Sequence, residues 1–287
     1  MTGTETGKPI DVHTHIFPDA IAPNAMAALI AVSPSIGCFS DGTRAGLIEQ
    51  MDKAGVGRAV AAAVATKPTQ MESIFRFSKD LLEDPRMIPF PSVHPSAPDA
   101  TDWIRRAADE GFLGVKAHPQ YQDCPVDDPK MTDILEAIRD NDIVLLLHTG
   151  NDPAFPNDNR AAPTRVARLL DRVEGARVIA AHLGGWMVWE EALEVLAGRP
   201  GLYLDTSSSL GHAPREMALA ILEKHGVDRV CFATDSPWED IAAERERVEG
   251  LGLSEEDTRK VLWKNAEELL FGSREGAASA PDSNRES

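Results

Sequence analysis

Close to the start of the chain stands Asp11-Val12-His13-Thr14-His15, two imidazoles one residue apart at the end of a short apolar run. In an extended strand successive side chains alternate, so Asp11, His13 and His15 are expected on one face and Val12 and Thr14 on the other. Same-face neighbours lie about 6.5–7 Å apart, and imidazoles at that spacing can converge on one ion through bonds of roughly 2 Å. Other apolar runs end in the same way. Val144-Leu145-Leu146-Leu147 runs into His148, Val178-Ile179-Ala180-Ala181 into His182, and Cys231-Phe232-Ala233-Thr234 into Asp235. A further run supplies Lys116 and His118, again two residues apart. These residue types suit a divalent ion held by nitrogen and oxygen ligands with one position open. Such an ion lowers the pKa of bound water towards about 7, and a neighbouring carboxylate or imidazole can then carry the proton.

Singly, each of these residues has a plainer reading. A histidine after an apolar strand is more often a hydrogen-bonded core or rim residue, and Asp235 by itself reads as the N-cap of a helix beyond Pro237. Four runs ending in a ligand type at one end of one fold are much harder to assign to packing alone. The remaining candidates are softer. His94, Phe17, Trp186 and Trp238 can wall a pocket or pack under loops, and Asp205-Thr206-Ser207-Ser208-Ser209 offers hydroxyls to a substrate or caps a turn. Asp11 reads as a residue orienting a histidine from below, or as packing. Cys231 reads as core, and His212 and His225 as surface.

The elements that must position these residues follow from hydrophobic patterning. Eight short runs rich in Val, Ile, Leu and Ala read as strands: Ile10–His15, Arg58–Val64, Met87–His94, Leu113–His118, Ile143–His148, Arg177–His182, Leu202–Thr206 and Arg229–Asp235. Little alternation within them is the signature of parallel strands covered on both sides. Between them, apolar residues at three- and four-residue spacing predict helices over Leu47–Ala54, Met71–Leu82, Thr101–Glu110, Met131–Asn141, Pro163–Val173, Val188–Ala197, Arg215–His225 and Asp240–Leu251. A last helix, Glu255–Leu270, opens on the Ser254-x-x-Asp257 start signal and is expected to pack across the outside. Strict alternation predicts a single-domain α/β fold, a (β/α)₈ TIM barrel over residues 9–272 with an extra C-terminal helix. An open doubly wound sheet is disfavoured, because the first βα turn lacks a glycine-rich phosphate loop. Residues 1–8 and 273–287 are small and polar and are expected to be disordered.

Composition narrows the function classes. The 287-residue chain is 43% hydrophobic and carries a net charge of -17, a poor match to nucleic acid. No apolar run approaches the roughly 18 residues of a membrane span, and Met1 to Lys8 resembles no signal peptide. Three cysteines without C-x-x-C spacing argue against disulfides or a thiolate metal site and fit a reducing cytoplasm. There is no G-x-S-x-G elbow.

The ordered set of an H-x-H on strand 1, histidines on strands 5 and 6 and an aspartate on strand 8 resembles the metal site of the amidohydrolase superfamily, across residues 9–271. Gly114-Val115-Lys116-Ala117-His118-Pro119 and Ala181-His182-Leu183-Gly184-Gly185 are similar to its amidohydrolase-related branch, which includes decarboxylases of the aminocarboxymuconate-semialdehyde type. The resemblance implies that His13, His15, His148 and Asp235 ligate one ion, expected to be Zn²⁺, with Mn²⁺ an alternative. It implies catalytic roles for His182 and Asp235. Lys116, His118 and Trp186 are expected to contact the substrate. Lys116 occupies the strand end where two-metal members carry a carbamylated lysine, which would recruit a second ion to His148 and His182. Hydrolysis of an amide, lactone or related bond by metal-activated water is the leading expectation. Non-oxidative decarboxylation of an unsaturated or aromatic acid is the alternative. The expected partner is a small-molecule substrate, with a homodimer by analogy to other barrels.

Overall fold

The computed structural model describes residues 7–33 and 36–272. The expected disordered ends, residues 1–8 and 273–287, lie outside that set apart from Gly7 and Lys8. Eight parallel strands alternate with helices: β1 (Ile10–Thr14), β2 (Arg58–Ala62), β3 (Met87–Phe90), β4 (Gly114–Ala117), β5 (Val144–Leu147), β6 (Arg177–Ala180), β7 (Leu202–Asp205) and β8 (Val230–Cys231). They form continuous ladders β1-β2-β3 and β4-β5-β6-β7-β8. Lys116 N–H donates to Pro91 O at one seam, and Val12 N–H donates to Phe232 O at the other. Isolated bridges Ser92–Lys116 and Thr14–Ser236 complete the closure. The fold is therefore the expected TIM barrel.

Alternate residues sort into two apolar layers. Val60, Ala62, Val144, Leu146, Ile179, Ala181 and Cys231 fill the interior, while Ala59, Ala61, Leu145, Leu147, Leu202 and Leu204 face the surrounding helices. Cys231 is core, as its position in the run suggested. The helices largely occupy their expected places: α2 (Arg44–Ala54), α3 (Met71–Leu81), α4 (Ala100–Asp109), α5 (Pro129–Asp140), α6 (Pro163–Arg172), α7 (Trp189–Val195), α8 (Arg215–His225) and α9 (Ile241–Glu249).

Four features depart from the sequence expectation. The first is α1 (Ala22–Val32), a helix in the first βα connection. Its apolar residues run nearly all round, so no amphipathic stripe marked it, although Pro23 and a run of alanines favour helix. Met26 seats it against Gly42, whose φ of +75° and lack of a Cβ permit the approach.

The second is the C-terminal helix. Segments α10 (Glu255–Arg259) and α11 (Asn265–Phe271) are joined through a π-helical turn at Lys260–Lys264. Ser254 Oγ accepts the Asp257 N–H at the start, as expected of the cap. Instead of lying across the outside, α11 closes the N-terminal end of the barrel. Ala266, Leu269 and Leu270 join the interior cluster, and Arg177 at the start of β6 donates to Leu269 O at 2.8 Å. The spacing of those three apolar residues makes one narrow stripe, and the open end of an apolar barrel is the surface that needs it.

The third is β1 itself. Its register with β2 slips between Asp11 and Thr14. Asp11 Oδ1 accepts the His13 N–H at 3.1 Å, which takes that donor out of the ladder. Val12 thus lies in the interior cluster, and His13 follows it into the interior. Asp11 pairs instead with Ala59 of the outer layer. The expected common face of Asp11, His13 and His15 is corrected accordingly. Finally, His225, expected on the surface, is buried and bridges two segments. It accepts the Gly198 N–H at Nδ1 and donates from Nε2 to Leu202 O.

Candidate active site

The polar residues singled out in the sequence gather at the C-terminal mouth, and most lie just beyond the last ladder residue rather than within it. His118, His148 and His182 follow the ends of β4, β5 and β6 by one or two residues, and Asp235 lies four residues beyond β8. His182, Leu183, Ser208 and Asp235 all have φ between 47° and 68°, a region non-glycine residues seldom occupy. Backbone held this way at a mouth is a mark of positioning, and the restraints are visible. Asp205 Oδ1 accepts His182 N–H at 2.8 Å, and Asp235 N–H donates to His13 O at 2.8 Å. Trp186 N–H donates to Thr149 O and Asn151 N–H to Trp186 O, joining the β5 loop to the β6 loop across Gly150, where a Cβ would collide with the Trp186 backbone. That contact fixes Trp186 at the wall of the cavity.

His13, His15 and Asp235 bring three ligand atoms within 4.8 Å of one another. His15 Nδ1 is 2.8 Å from Ala62 O, a group that can only accept, so Nδ1 carries the proton and Nε2 is left bare. That bare nitrogen faces Asp235 Oδ1 at 3.1 Å. His13 repeats the pattern. Its Nδ1 is 3.1 Å from Asp205 Oδ2, and its Nε2 lies 3.5 Å from the same Asp235 oxygen. Lone pairs turned on a carboxylate are repulsive unless a cation lies between them. Two nitrogens and one oxygen oriented by partners behind them therefore fit a divalent ion. Burial, followed by the nearby positive charge of Lys116, pushes His13 well below the usual histidine range and keeps it a neutral donor. Burial alone would raise Asp235, but the cationic surroundings, Lys116 among them, outweigh it and hold the carboxyl well below the usual carboxylate range.

His148 stands with a different group. Its ligand atoms cluster with those of His118 and Asp152. The His148 and His118 rings are stacked at 3.9 Å with an interplanar angle of 8°, and His118 Nε2 is 3.3 Å from Asp152 Oδ2. His148 Nε2 donates to Asn151 O at 3.0 Å, and its Nδ1 meets His182 Nε2 at 3.0 Å. His182 Nδ1 in turn lies 3.0 Å from Ser207 O. With both outer nitrogens donating to carbonyls, the two inner nitrogens face each other bare and need one proton or cation between them.

Lys116 is 1% exposed and lies on the interior face of β4, with Nζ 2.7 Å from His13 Nε2. Burial lowers it to about 8, with Asp235, Asp205 and Asp152 acting in the opposite sense. It addresses the same His13 lone pair that an ion would use, so ion binding requires the amine to shift.

Two residues carry more of the site than the sequence suggested. Asp205 is fully buried and touches His13 Nδ1, His182 N, Ser207 N and Ser207 Oγ. The ring-orienting task assigned to Asp11 thus falls to Asp205, while Asp11 binds Thr234 Oγ1 at 2.6 Å and the His13 backbone. Burial raises Asp11 to about 8. Asp152 was not singled out, since one acidic residue in a polar loop carries no pattern. Phe17, Trp186, Trp238 and Ser208 line the cavity, and His94 does not. His94 Nδ1 accepts the Ser96 N–H instead. His212, at the rim, pairs with Glu239 at 2.6 Å, which raises its pKa.

The amidohydrolase family model, Amidohydro_2, matches residues 10–272, and the chain belongs to that family. No curated protein matches the sequence. Among solved structures, an uncharacterized TIM-barrel protein from Bordetella bronchiseptica aligns with a TM-score of 0.77 at 20% identity, covering 92% of this chain and 98% of its own. A 5-carboxyvanillate decarboxylase from Novosphingobium aromaticivorans, with bound manganese, gives 0.71 at 17% identity over 94% and 99%. A dihydroxybenzoic acid decarboxylase from Polaromonas sp. JS666, with manganese and 2-nitroresorcinol, gives 0.70 at 16% over 92% and 97%. At these identities the likeness establishes the fold. No described helix is long and apolar enough to cross a membrane.

Proposed function

We propose that this enzyme is a metal-dependent lyase that removes CO₂ from an aromatic or unsaturated carboxylic acid. The observation that carries the reading is Lys116. Among the described residues it is the one lysine or arginine that lines the cavity, and it lies at the floor beside His13 and Asp235. A carboxylate paired with Lys116 would be held next to the ion-binding cluster in a largely apolar chamber. Loss of neutral CO₂ from a desolvated carboxylate disperses charge, which such a chamber favours. The decarboxylases among the structural neighbours lend support. The hydrolysis that the sequence placed first uses the same ligands, but nothing in the cavity singles out an amide or lactone.

His13, His15 and Asp235 would hold the ion, with zinc or manganese both compatible with nitrogen and oxygen ligands, and the His182 ring lies 5.3 Å from that of His13. When bound, the ion supplies Lewis-acid polarisation of a substrate oxygen. The chain's own residues do the rest. Lys116 orients the carboxylate. As the carbon–carbon bond breaks, its electron pair stays on the substrate carbon, which takes up one proton. The His148–His182 pair holds a proton between Nδ1 and Nε2 and is placed to deliver it from the His182 side. Asp205 and Ser207 fix the His182 ring, and Ser208 donates to Asp235.

The test is a panel of aryl carboxylic acids and a panel of lactones and amides, presented to protein loaded with Mn²⁺ or Zn²⁺. Released CO₂ and ring-opened product are measured directly, alongside metal per chain by plasma mass spectrometry. CO₂ release that is lost in Lys116→Met supports the lyase. Ring opening without CO₂ overturns it in favour of hydrolysis. One metal per chain leaves the imidazole pair to its proton, whereas two would place an ion between His148 and His182.

A further inference from the structure

The cavity is larger than a single-ring acid requires. Its volume is about 650 Å³, in the middle of the range of sites for drug-sized ligands. The reacting groups occupy only its floor. Above them, one side is walled by Ala25 and Leu29 of α1, Ile74 and Phe77 of α3, and Phe17 and Ile21 of the chain between β1 and α1. Ala25, Leu29, Ile74 and Phe77 are half-buried, which is unusual for apolar side chains that could pack fully into a helix interface. The α1 helix is seated through its two buried residues, Ala22 and Met26, which leaves a gap between α1 and α3.

The charge around the cavity is equally specific. Apart from Lys116, the imidazoles and Tyr121, whose ionisation burial opposes, the ionisable lining groups are carboxylates: Asp152 and Glu239 towards the rim and Asp235 at the floor. A polyanion would find cationic groups at the floor, Lys116 foremost, and above them Asp152 and the Glu239–His212 pair. A monoanion with an apolar body meets a cation at one end and hydrocarbon at the other.

We propose that the gallery between α1 and α3 receives the apolar extension of a monocarboxylate substrate, an aryl acid bearing a second ring or an alkyl chain, whose carboxylate meets Lys116. The proposal deepens the decarboxylase reading and rests on its assignment of Lys116 as the carboxylate anchor. Substrate length is then selected by α1 and α3, and substrate charge by the floor.

Calorimetric titration of the full-length protein with four probes tests both halves without turnover: benzoate, biphenyl-4-carboxylate, benzene-1,3,5-tricarboxylate and the neutral biphenyl-4-carboxamide. Biphenyl-4-carboxylate is expected to bind about tenfold or more tighter than benzoate, as burial of a second ring gives, with the tricarboxylate no tighter than benzoate. Ala25→Trp, which fills the gallery, should abolish the advantage of the biphenyl acid and leave benzoate unchanged. Leu29→Asn, at a half-buried position, should reduce it. Equal affinity for the two carboxylates, with both weakened by Lys116→Met, would overturn the gallery and leave the anchor intact. A biphenyl preference that survives Ala25→Trp would also overturn the gallery, because the ring would then lie elsewhere. Acid affinity that ignores Lys116→Met, or is matched by the carboxamide, would overturn the anchor and with it the decarboxylase reading.

Discussion

At its N-terminal end the barrel is closed by hydrocarbon: Ala266, Leu269 and Leu270 rest on the interior layer, and the arginines that start β2 and β6 clamp the helix from outside. At its C-terminal end the same strands release His13, Lys116, His148, His182 and Asp205 into an interior where each is buried. The first end gains stability from every side chain it buries, about 1.5–3 kcal/mol for each large apolar group. The second buries groups that cost free energy unless each finds a partner, and it holds His182, Leu183, Ser208 and Asp235 at positive φ as well. The contrast separates the part of the molecule that stabilises it from the part that costs stability, where His118 Nδ1 and Gln120 Oε1 are buried without a partner among the described residues.

The sharpest way to break this division is to place a charge in the closed end. Leu269→Asp puts an unpaired carboxylate into the interior layer and should remove about 4 kcal/mol or more of stability. Urea denaturation with circular dichroism would read it, and a loss under about 1 kcal/mol would show that α11 does not seal the barrel. Second in size is Asp205→Ala at the mouth. It leaves the His182 N–H and the Ser207 donors without their acceptor, for a loss of about 2–4 kcal/mol. It should also weaken metal binding about 10- to 100-fold by freeing the His13 ring, as measured by competition with a chelating dye.

The third prediction concerns pH and sits between the two ends. Burial, and next the charge of Arg229, lowers His225 from 6.5 to about 4. A depressed histidine contributes stability above its unfolded value, and that contribution is lost as pH falls through the folded one. Unfolding free energy should therefore drop by about 1–3 kcal/mol between pH 6.5 and 4. His225→Gln should be less stable at pH 7.5 and flatter across that window, and a parallel dependence in both proteins would remove His225 as the cause. The smallest effect is expected for His15→Ala. Lying at the edge of the mouth, it should cost about 1 kcal/mol in stability. Bound metal, measured by plasma mass spectrometry, should nonetheless fall below that of the unaltered protein. Intact metal content would show that the ion is held elsewhere.

The two ends also differ in how far the sequence disclosed them. Apolar runs punctuated by polar turns located all eight strands, because burial on both faces writes itself into composition. The strand ends pointed to the mouth residues for the same reason, since a histidine or aspartate after four apolar residues marks the point where the barrel meets solvent. Contacts between distant segments left less trace. Asp205 looked like part of a hydroxyl-rich turn, and only the folded chain brings it beneath His13, 192 residues away. His225 looked like a charged helix end, and its burial depends on Leu202 and Gly198 arriving from elsewhere. The separation of His148 from the His13–His15–Asp235 group likewise rests on ring orientations that no spacing encodes.

The slipped register in β1 bears on any attempt to move this site into another barrel. Val12 closes the core and His13 opens the chemistry, and the two follow one another on the same wall because the strand spends one extra residue between Asp11 and Thr14. The motif therefore behaves like text with a reading frame. Substituting a letter changes one contact. Deleting one restores plain alternation and transposes everything after it, so that the core residue and the histidines could no longer share a wall. A graft that copied the two histidines onto a regular strand would carry the words without the frame that makes them legible.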